Sequence, residues 1–224
     1  MKIGKLNFFF KSIITVILVG ILIITSFYFY NKYKVSSLSR NNNFNKAGIL
    51  KGKLLVKNGD LILRRGEDFI SATASGFSQS DNSFSHSGLA IIENDTVFVY
   101  HSIGMGDSRE SFLKRDLFEA FCNTNENIRI GIYRFNFKKE IIIRLDSIVK
   151  NRYQNKLEFD SNFDLKTDEK QYCSEFIYKS ILNASNNTIK LPLSEKPNFM
   201  YIAVDNLYLN SYAKRIFQFE YILN

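Results

Sequence analysis

A cysteine near the end of the chain opens an apolar segment with helical spacing, in the motif Tyr172-Cys173-Ser174-Glu175-Phe176. The chain has only two histidines, His86 and His101, and both lie upstream in runs of strand-forming residues. The thiolate is the reactive form of cysteine, and a helix N-terminus and a nearby imidazolium both lower the thiol pKa from its usual ~8.5. These residue types suit a cysteine hydrolase, provided that the fold brings them together.

The turn between the two histidine-bearing runs determines whether the imidazoles can approach each other. If Asn94 and Asp95 form a two-residue turn, the strands pair so that His101 lies opposite Gly88 and diagonal to His86. Both imidazoles then share one face of the sheet, and Gly88 leaves the space that His101 would occupy. A three-residue loop would place the histidines on opposite faces. We predict the two-residue turn and therefore a histidine pair.

Cys173 lies on the same helical stripe as Phe176, Ile177 and Ile181, so this stripe is expected to pack against the sheet with the thiol pointing toward the strands. Three other interpretations of the cysteine stay open. It could be a small core residue, the partner of Cys122 in a disulfide, or a zinc ligand with the two histidines, although the close ligand spacing of usual zinc sites is absent. Cys122 follows an apolar segment and is predicted to be a buried thiol.

Periodicity predicts an α+β fold in which the sheet and the helices are segregated along the chain. Strands are predicted at Leu61–Arg64, His86–Ile92, Thr96–Ser102 and Ile128–Phe135. Helical spacing is present in Ser111–Phe121, in the run from Ile141 to Tyr153 and in the segment that begins at Cys173, and Phe69–Phe77 suits a helix or a loop.

The N-terminal region contains an uncharged apolar run from Ile13 to Tyr30, about 18 residues or ~27 Å as a helix. We therefore expect residues 1–35 to form a membrane anchor with a transmembrane helix at about 13–30, followed by a polar linker at 36–45 and one domain at 46–224. A cleaved signal peptide is the alternative, but it has a shorter apolar core and small residues at its cleavage site.

Most of the net charge of +8 comes from the flanks of this apolar run. Residues 1–40 contain no acidic residue and six basic ones, Lys2, Lys5, Lys11, Lys32, Lys34 and Arg40. Removing these six from the 30 Lys and Arg leaves 24 basic residues against 22 acidic ones. A nearly neutral domain argues against nucleic acid as a partner, and charges beside an apolar segment serve membrane topology. Because a signal-anchor with nothing folded before it usually exports the domain after it, we expect this domain outside the cytoplasm, periplasmic or at the cell surface.

Several motifs together resemble one enzyme family. They are Asn58-Gly59-Asp60-Leu61-Ile62-Leu63-Arg64-Arg65-Gly66, Phe84-Ser85-His86-Ser87-Gly88-Leu89-Ala90-Ile91, Val99-Tyr100-His101-Ser102, Tyr172-Cys173-Ser174-Glu175-Phe176 and Ala203-Val204-Asp205-Asn206-Leu207. In this order they are similar to the YiiX/YebB-like, NlpC-type cysteine hydrolases, which have a circularly permuted papain-like fold, and the likeness covers roughly Leu54–Leu207.

This resemblance implies an antiparallel sheet packed against helices and a set of roles for the candidate residues. Cys173 would be the nucleophile, His86 its base, and His101 the polar third residue that orients His86. Tyr172 and Ser85 are candidates for contact with the substrate or its oxyanion. Glu175, in the first helical turn, is interpreted as a capping residue rather than a catalytic one. No metal or other cofactor is expected.

The resemblance and the predicted location imply hydrolysis of amide bonds in cell-wall peptide stems. Two alternatives stay open. The same Cys and His would serve a lipid acyl hydrolase or acyltransferase, which a domain tethered near a bilayer could support. A membrane-anchored binding module would keep the pocket without turnover. The expected partners are therefore a peptide or lipid substrate and the membrane.

Overall fold

A six-stranded sheet forms the centre of the computed structural model, which describes residues 14–30, 42–104, 111–197 and 199–222. Its strands are β1 (Leu61–Gly66), β2 (His86–Glu93), β3 (Thr96–Ser102), β4 (Leu113–Leu117), β5 (Asn127–Phe135) and β8 (Ala213–Glu220). They are ordered β4-β3-β2-β1-β5-β8, and every neighbouring pair is antiparallel. Two short strands, β6 (Ser194–Lys196) and β7 (Phe199–Tyr201), pair separately. The antiparallel α+β prediction is confirmed.

Helices cover both faces of the sheet. They are α2 (Asn43–Leu55), α3 (Phe69–Ser75), α4 (Phe118–Phe121), α5 (Lys139–Gln154) and α6 (Cys173–Ala184), and a further helix, α1 (14–30), precedes them in the chain. We call the side covered by α5 and α6 the α6 face, and the side covered by α2 and α4 the α2 face. Side chains alternate between these faces, so Leu61 and Leu63 of β1 pack on the α6 face while Ile62 packs on the α2 face, all fully buried.

The hairpin of β2 and β3 has the predicted register. Glu93 pairs with Thr96 across a two-residue turn, in which Asn94 and Asp95 have φ angles of 47° and 61°. These positive φ values are those of a type I′ turn, which Asn and Asp tolerate. A Cβ on Gly88 would lie 2.5 Å from Val99 Cγ1 and 2.9 Å from a β3 carbonyl oxygen, so the close approach of the two strands requires glycine here.

The helical prediction for Ser111–Phe121 is wrong for Leu113–Leu117, which form the edge strand β4. Leu113 and Leu117 have helical spacing, but β3 offers an open edge whose backbone groups pair with the segment, and this tertiary pairing overrides the local pattern. Only the four residues of α4 are helical. The sequence patterns also missed α2, β6, β7 and β8.

The N-terminal region is described in part. α1 exposes its apolar side chains, and within the described ranges no helix is long and apolar enough to cross a membrane. Residues 31–41 lie outside the described residues, and they include 36–41 of the linker expected at 36–45. α2 begins at Asn43 inside the segment expected to be linker, because Asn42 caps it by accepting a hydrogen bond from the Asn45 amide (2.8 Å).

Candidate functional site

The two histidines form a hydrogen-bonded pair, and a carboxylate extends it. His86 Nε2 lies 2.9 Å from His101 Nδ1, and His101 Nε2 lies 2.9 Å from Asp116 Oδ2. Lys114 of β4 pairs with His101, so Asp116, two residues further, lies on the face of the sheet that His101 occupies. Sequence reasoning misses Asp116, because the two leucines of its segment, Leu113 and Leu117, have the spacing of a helix and no local signal marks the strand.

Asp116 determines the direction of the hydrogen bonds in this series. A carboxylate accepts hydrogen bonds, so His101 donates from Nε2 and its Nδ1 carries the lone pair. His86 then donates from Nε2 to His101, which leaves His86 Nδ1 unprotonated. The tautomer assigned in this way gives His86 a free basic nitrogen for a neighbouring acid.

Cys173 and His86 approach the end of the sheet from different faces. Cys173 begins α6 and packs with the core cluster of the α6 face. His86 and His101 contact the ring of Phe121, which belongs to the cluster of the α2 face. Because His86 is the first residue of β2, the cavity at this end of the sheet is lined by both His86 and Cys173.

Two cavities border the cysteine. The larger has a volume of about 800 Å³ and contains charged side chains of both signs in its wall, namely Arg64, Asp68, Glu126, Glu158 and Lys170. The smaller, about 400 Å³, has an almost wholly apolar wall formed mainly by Ile70, Ala74, Phe77, Phe163, Phe199, Tyr201 and Val204. Cys173, Tyr172 and Ser85 line both cavities.

Burial and a buried cation keep His86 neutral. Burial lowers the pKa of His86 well below 6.5, and the positive charge of Arg64 and the neighbouring His101 lower it further. Arg64 pairs with His86 in the sheet register. Its guanidinium lies over the Phe121 ring, 4.7 Å from the centroid, and donates to the Phe121 carbonyl oxygen at 3.2 Å. At neutral pH His86 is therefore an unprotonated imidazole, as a general base must be.

Opposing effects act on the Cys173 thiol. Burial raises its pKa, while the nearby polar groups of Ser87 and Ser174 lower it, with a net shift upward. The helix N-terminus also favours the thiolate. At rest Cys173 is thus a thiol and His86 a neutral imidazole, both in the wall of the larger cavity, and a thiolate forms when a base removes the proton.

Tyr172 and Ser85 form part of the cavity walls and already have protein partners. The Tyr172 hydroxyl oxygen accepts a hydrogen bond from the Ile202 amide at 2.9 Å. Its ring lies against Phe163, with centroids 5.0 Å apart. Ser85 Oγ accepts from the Gly66 amide at 3.2 Å. These bonds place both side chains beside Cys173, where they limit the space open to a ligand.

Glu175 caps α6, as interpreted from the sequence. The Tyr172 amide donates to Glu175 Oε2 (3.2 Å), and Glu175 Oε1 lies 3.0 Å from Lys179 Nζ. Lys179 also pairs with Asp168 at 2.7 Å. Burial raises the pKa of Glu175 to about 7. The network fixes the first turn of α6 and with it the position of Cys173.

The structure also bears on the disulfide and zinc alternatives for the cysteines. Both cysteines are free thiols in this structure, and Cys122 is fully buried in the cluster of the α2 face, as predicted. Among the described residues, no group of three or more His, Cys, Asp or Glu side chains is arranged to hold a metal ion.

Comparison with known proteins gives a family match and a fold match. The family model described as permuted papain-like amidase enzyme, YaeF/YiiX, C92 family, matches residues 55–197, more than half of the chain. No curated protein matches. The crystal structure of a protein described as metalloprotein yiiX from Escherichia coli O157:H7 superposes with a TM-score of 0.59 at 14% identity, covering 74% of this chain and 99% of that chain. At this identity the likeness supports a shared fold.

Proposed function

The chain belongs to the permuted papain-like amidase family, YaeF/YiiX, and from this premise we propose that it cleaves an amide bond with Cys173 as nucleophile and His86 as base. The observation that carries the proposal is the series of hydrogen bonds from Asp116 through His101 to His86, which ends at the cavity that Cys173 lines. In this proposal His101 orients His86, which is the role that the sequence resemblance implies.

The reaction begins when His86 Nδ1 accepts the Cys173 proton. The thiolate attacks the amide carbonyl carbon, an S–C bond forms, and the carbonyl oxygen becomes an oxyanion. The amide of Cys173 donates to this oxyanion, since first-turn amides of a helix have no intrahelical partner. The C–N bond then breaks, His86 protonates the leaving amine, and water hydrolyses the thioester with His86 again as base.

The first candidate substrate is a cell-wall peptide stem. The larger cavity supports it, because charged groups of both signs in its wall suit a short peptide that carries carboxylate and ammonium groups. Tyr172 and Ser85 are the side chains proposed to contact it beside the scissile bond.

The second candidate is a lipid acyl group, in an ester or amide. The smaller cavity favours it, because about 400 Å³ of almost wholly apolar space directly beside Cys173 suits a hydrocarbon chain and offers few partners to a polar peptide. An acyltransferase that uses the same Cys and His is included in this candidate.

The proposal also places the enzyme at a membrane. The apolar run from Ile13 to Tyr30 is proposed as an uncleaved anchor, with the catalytic domain outside the cytoplasm. The support for this part is the sequence alone.

The first experiment is alkylation of each cysteine by iodoacetamide across a pH series, read by mass spectrometry, in the full chain and in His86→Ala. Cys173 is expected to react far faster than the buried Cys122 and to lose that advantage in the variant. Equal, slow reaction of both thiols contradicts the proposal. A reactive Cys173 without turnover of any amide or ester supports the binding module instead.

A second experiment separates the two substrates. Phe199→Asp places a charge in the apolar wall, and Met200→Asp is the matched control, because Met200 is 56% exposed on the same strand and does not line the cavity. Phe199→Asp is expected to lower kcat/KM for a long-chain acyl substrate about tenfold or more, since it removes an aromatic contact worth ~1.5 kcal/mol. If the enzyme cleaves peptide stems, both variants leave that turnover unchanged.

A further inference from the structure

The outer side of α2 carries an apolar stripe that the fold leaves uncovered. Its inner side packs on the sheet through Asn45, Gly48, Ile49 and Gly52. On the opposite side Leu54 is 85% exposed and Leu50 55% exposed, and Ala47 beside them is also exposed. At 100° per residue these three positions fall within one narrow sector. An exposed apolar stripe of this kind indicates a contact with another apolar surface.

Lysines border the stripe on both sides. By the same helical spacing, Lys46 and Lys51 lie at its two opposite edges. α2 contains no acidic residue. Lys53 forms an ion pair with Glu119 at 2.6 Å, whereas Lys46 and Lys51 form none with any residue that the structure describes. The stripe is therefore apolar at its centre and positively charged at its margins.

From this pattern we infer that the outer side of α2 lies on an anionic lipid surface. The leucines enter the boundary between headgroups and acyl chains, and the lysines extend their stems along it to reach lipid phosphates. A second copy of the chain is a poorer occupant, because a two-fold contact through this surface brings lysine against lysine.

The inference rests on the proposed anchor, which brings α2 near the bilayer. Residues 31–42 connect α1 to α2, and twelve extended residues span at most ~42 Å. Contact along α2 would restrict the orientation of the domain relative to the membrane, so the cavities beside Cys173 would keep a fixed relation to the lipid surface.

The test measures the depth of single sites in the full chain, with Cys173→Ser as background so that the label enters only at chosen positions. Leu54→Cys carries an environment-sensitive fluorophore. Leu209→Cys is the matched control, because Leu209 is 47% exposed and follows the short helix at Asp205–Leu207, which packs on α6 across the sheet from α2. Vesicles contain phosphatidylethanolamine with anionic phosphatidylglycerol, or phosphatidylcholine alone.

With anionic vesicles, the label at position 54 is expected to shift to the blue and to be quenched by lipid-borne nitroxides, while the label at 209 stays in water. Lys46→Gln with Lys51→Gln is expected to lower the docking equilibrium constant roughly 25-fold, from about fivefold per lysine. Docking of the wild-type chain to phosphatidylcholine vesicles is expected to be as weak as docking of this double variant to anionic vesicles.

Each other outcome overturns a defined part of the inference. If the chain pellets with vesicles but position 54 stays in water, this inference is wrong and the anchor stands. If the chain does not pellet, both are wrong. A label at 54 that becomes shielded without vesicles as protein concentration rises shows that a second copy covers the stripe. Docking that is equal on both lipids and in the lysine variant refutes the role of lipid charge.

Discussion

Asp116→Asn tests whether the carboxylate sets the basicity of His86. Two hydrogen bonds of 2.9 Å and two imidazole rings separate the carboxylate from the far nitrogen of His86, which limits the separation to at most ~10 Å. At an effective dielectric constant of ~20, unit charges at this distance interact by ~1.7 kcal/mol. The Asp116 side chain is 42% exposed, and solvent screening reduces the interaction energy to about 1 kcal/mol. This energy corresponds to a change of roughly fivefold in the proton affinity of His86.

The tautomers add a second effect. An amide at position 116 can donate or accept, so it no longer selects the form of His101 that leaves His86 Nδ1 free. With about half of the molecules in each tautomer, the fraction in which His86 Nδ1 is free to act as a base falls by a further factor of about two. The alkylation rate of Cys173 is therefore expected to fall about tenfold near neutral pH, while the fold is retained.

The assay is the iodoacetamide reaction of Cys173 followed by mass spectrometry from acid to alkaline pH. Glu119→Gln is the matched control, because its side chain is 40% exposed and pairs with Lys53 rather than with a histidine. The difference from wild type is expected to disappear at alkaline pH, where the thiol ionises without a base. An unchanged rate and pH profile in Asp116→Asn would refute the positioning role.

Three further predictions concern the histidine pair and the start of α6. Gly88→Ala is expected to lower both the melting temperature and the rate of Cys173 alkylation, because the new Cβ would lie 2.5 Å from a side-chain atom of β3. Gly76→Ala is the control and is expected to be tolerated, since its nearest contact is at 3.2 Å. Equal effects in the two variants contradict the packing argument. Arg64→Met raises the His86 pKa by removing a nearby positive charge. The acid limb of the plot of Cys173 alkylation rate against pH is therefore expected to move to higher pH. An acid limb that stays in place or moves to lower pH contradicts this prediction. Burial raises the Glu175 pKa from 4.5 to about 7, so stability from this group is present below pH 4.5 and is lost as pH rises through 7, by roughly 3 kcal/mol. Glu175→Gln is expected to remove this pH dependence of the free energy of unfolding, measured by urea unfolding at acid and at alkaline pH. The contrary result is a difference in the free energy of unfolding between wild type and variant that is the same at both pH values.

The chemistry-bearing residues were accessible from the sequence because their signals are local. The register that pairs His86 with His101 depends on two turn residues and on counting along antiparallel strands, and Gly88 marks the close approach. Cys173 precedes an apolar helical stripe, and the buried Cys122 follows from its apolar neighbours. The family resemblance depends on these same short motifs.

Tertiary structure alone decided the remaining features of the site. Asp116 joins His101 because an open strand edge captured a segment whose leucines have helical spacing, and no local pattern reveals that edge. Arg64 acts on His86 through a cross-strand pairing, and the pKa shifts of both histidines come from burial, which depends on packing. The sequence determined the reactive groups and their strand and helix positions, since those depend on neighbours a few residues away. The fold decided their faces, charge states and cavities, since those depend on contacts between residues far apart in the chain.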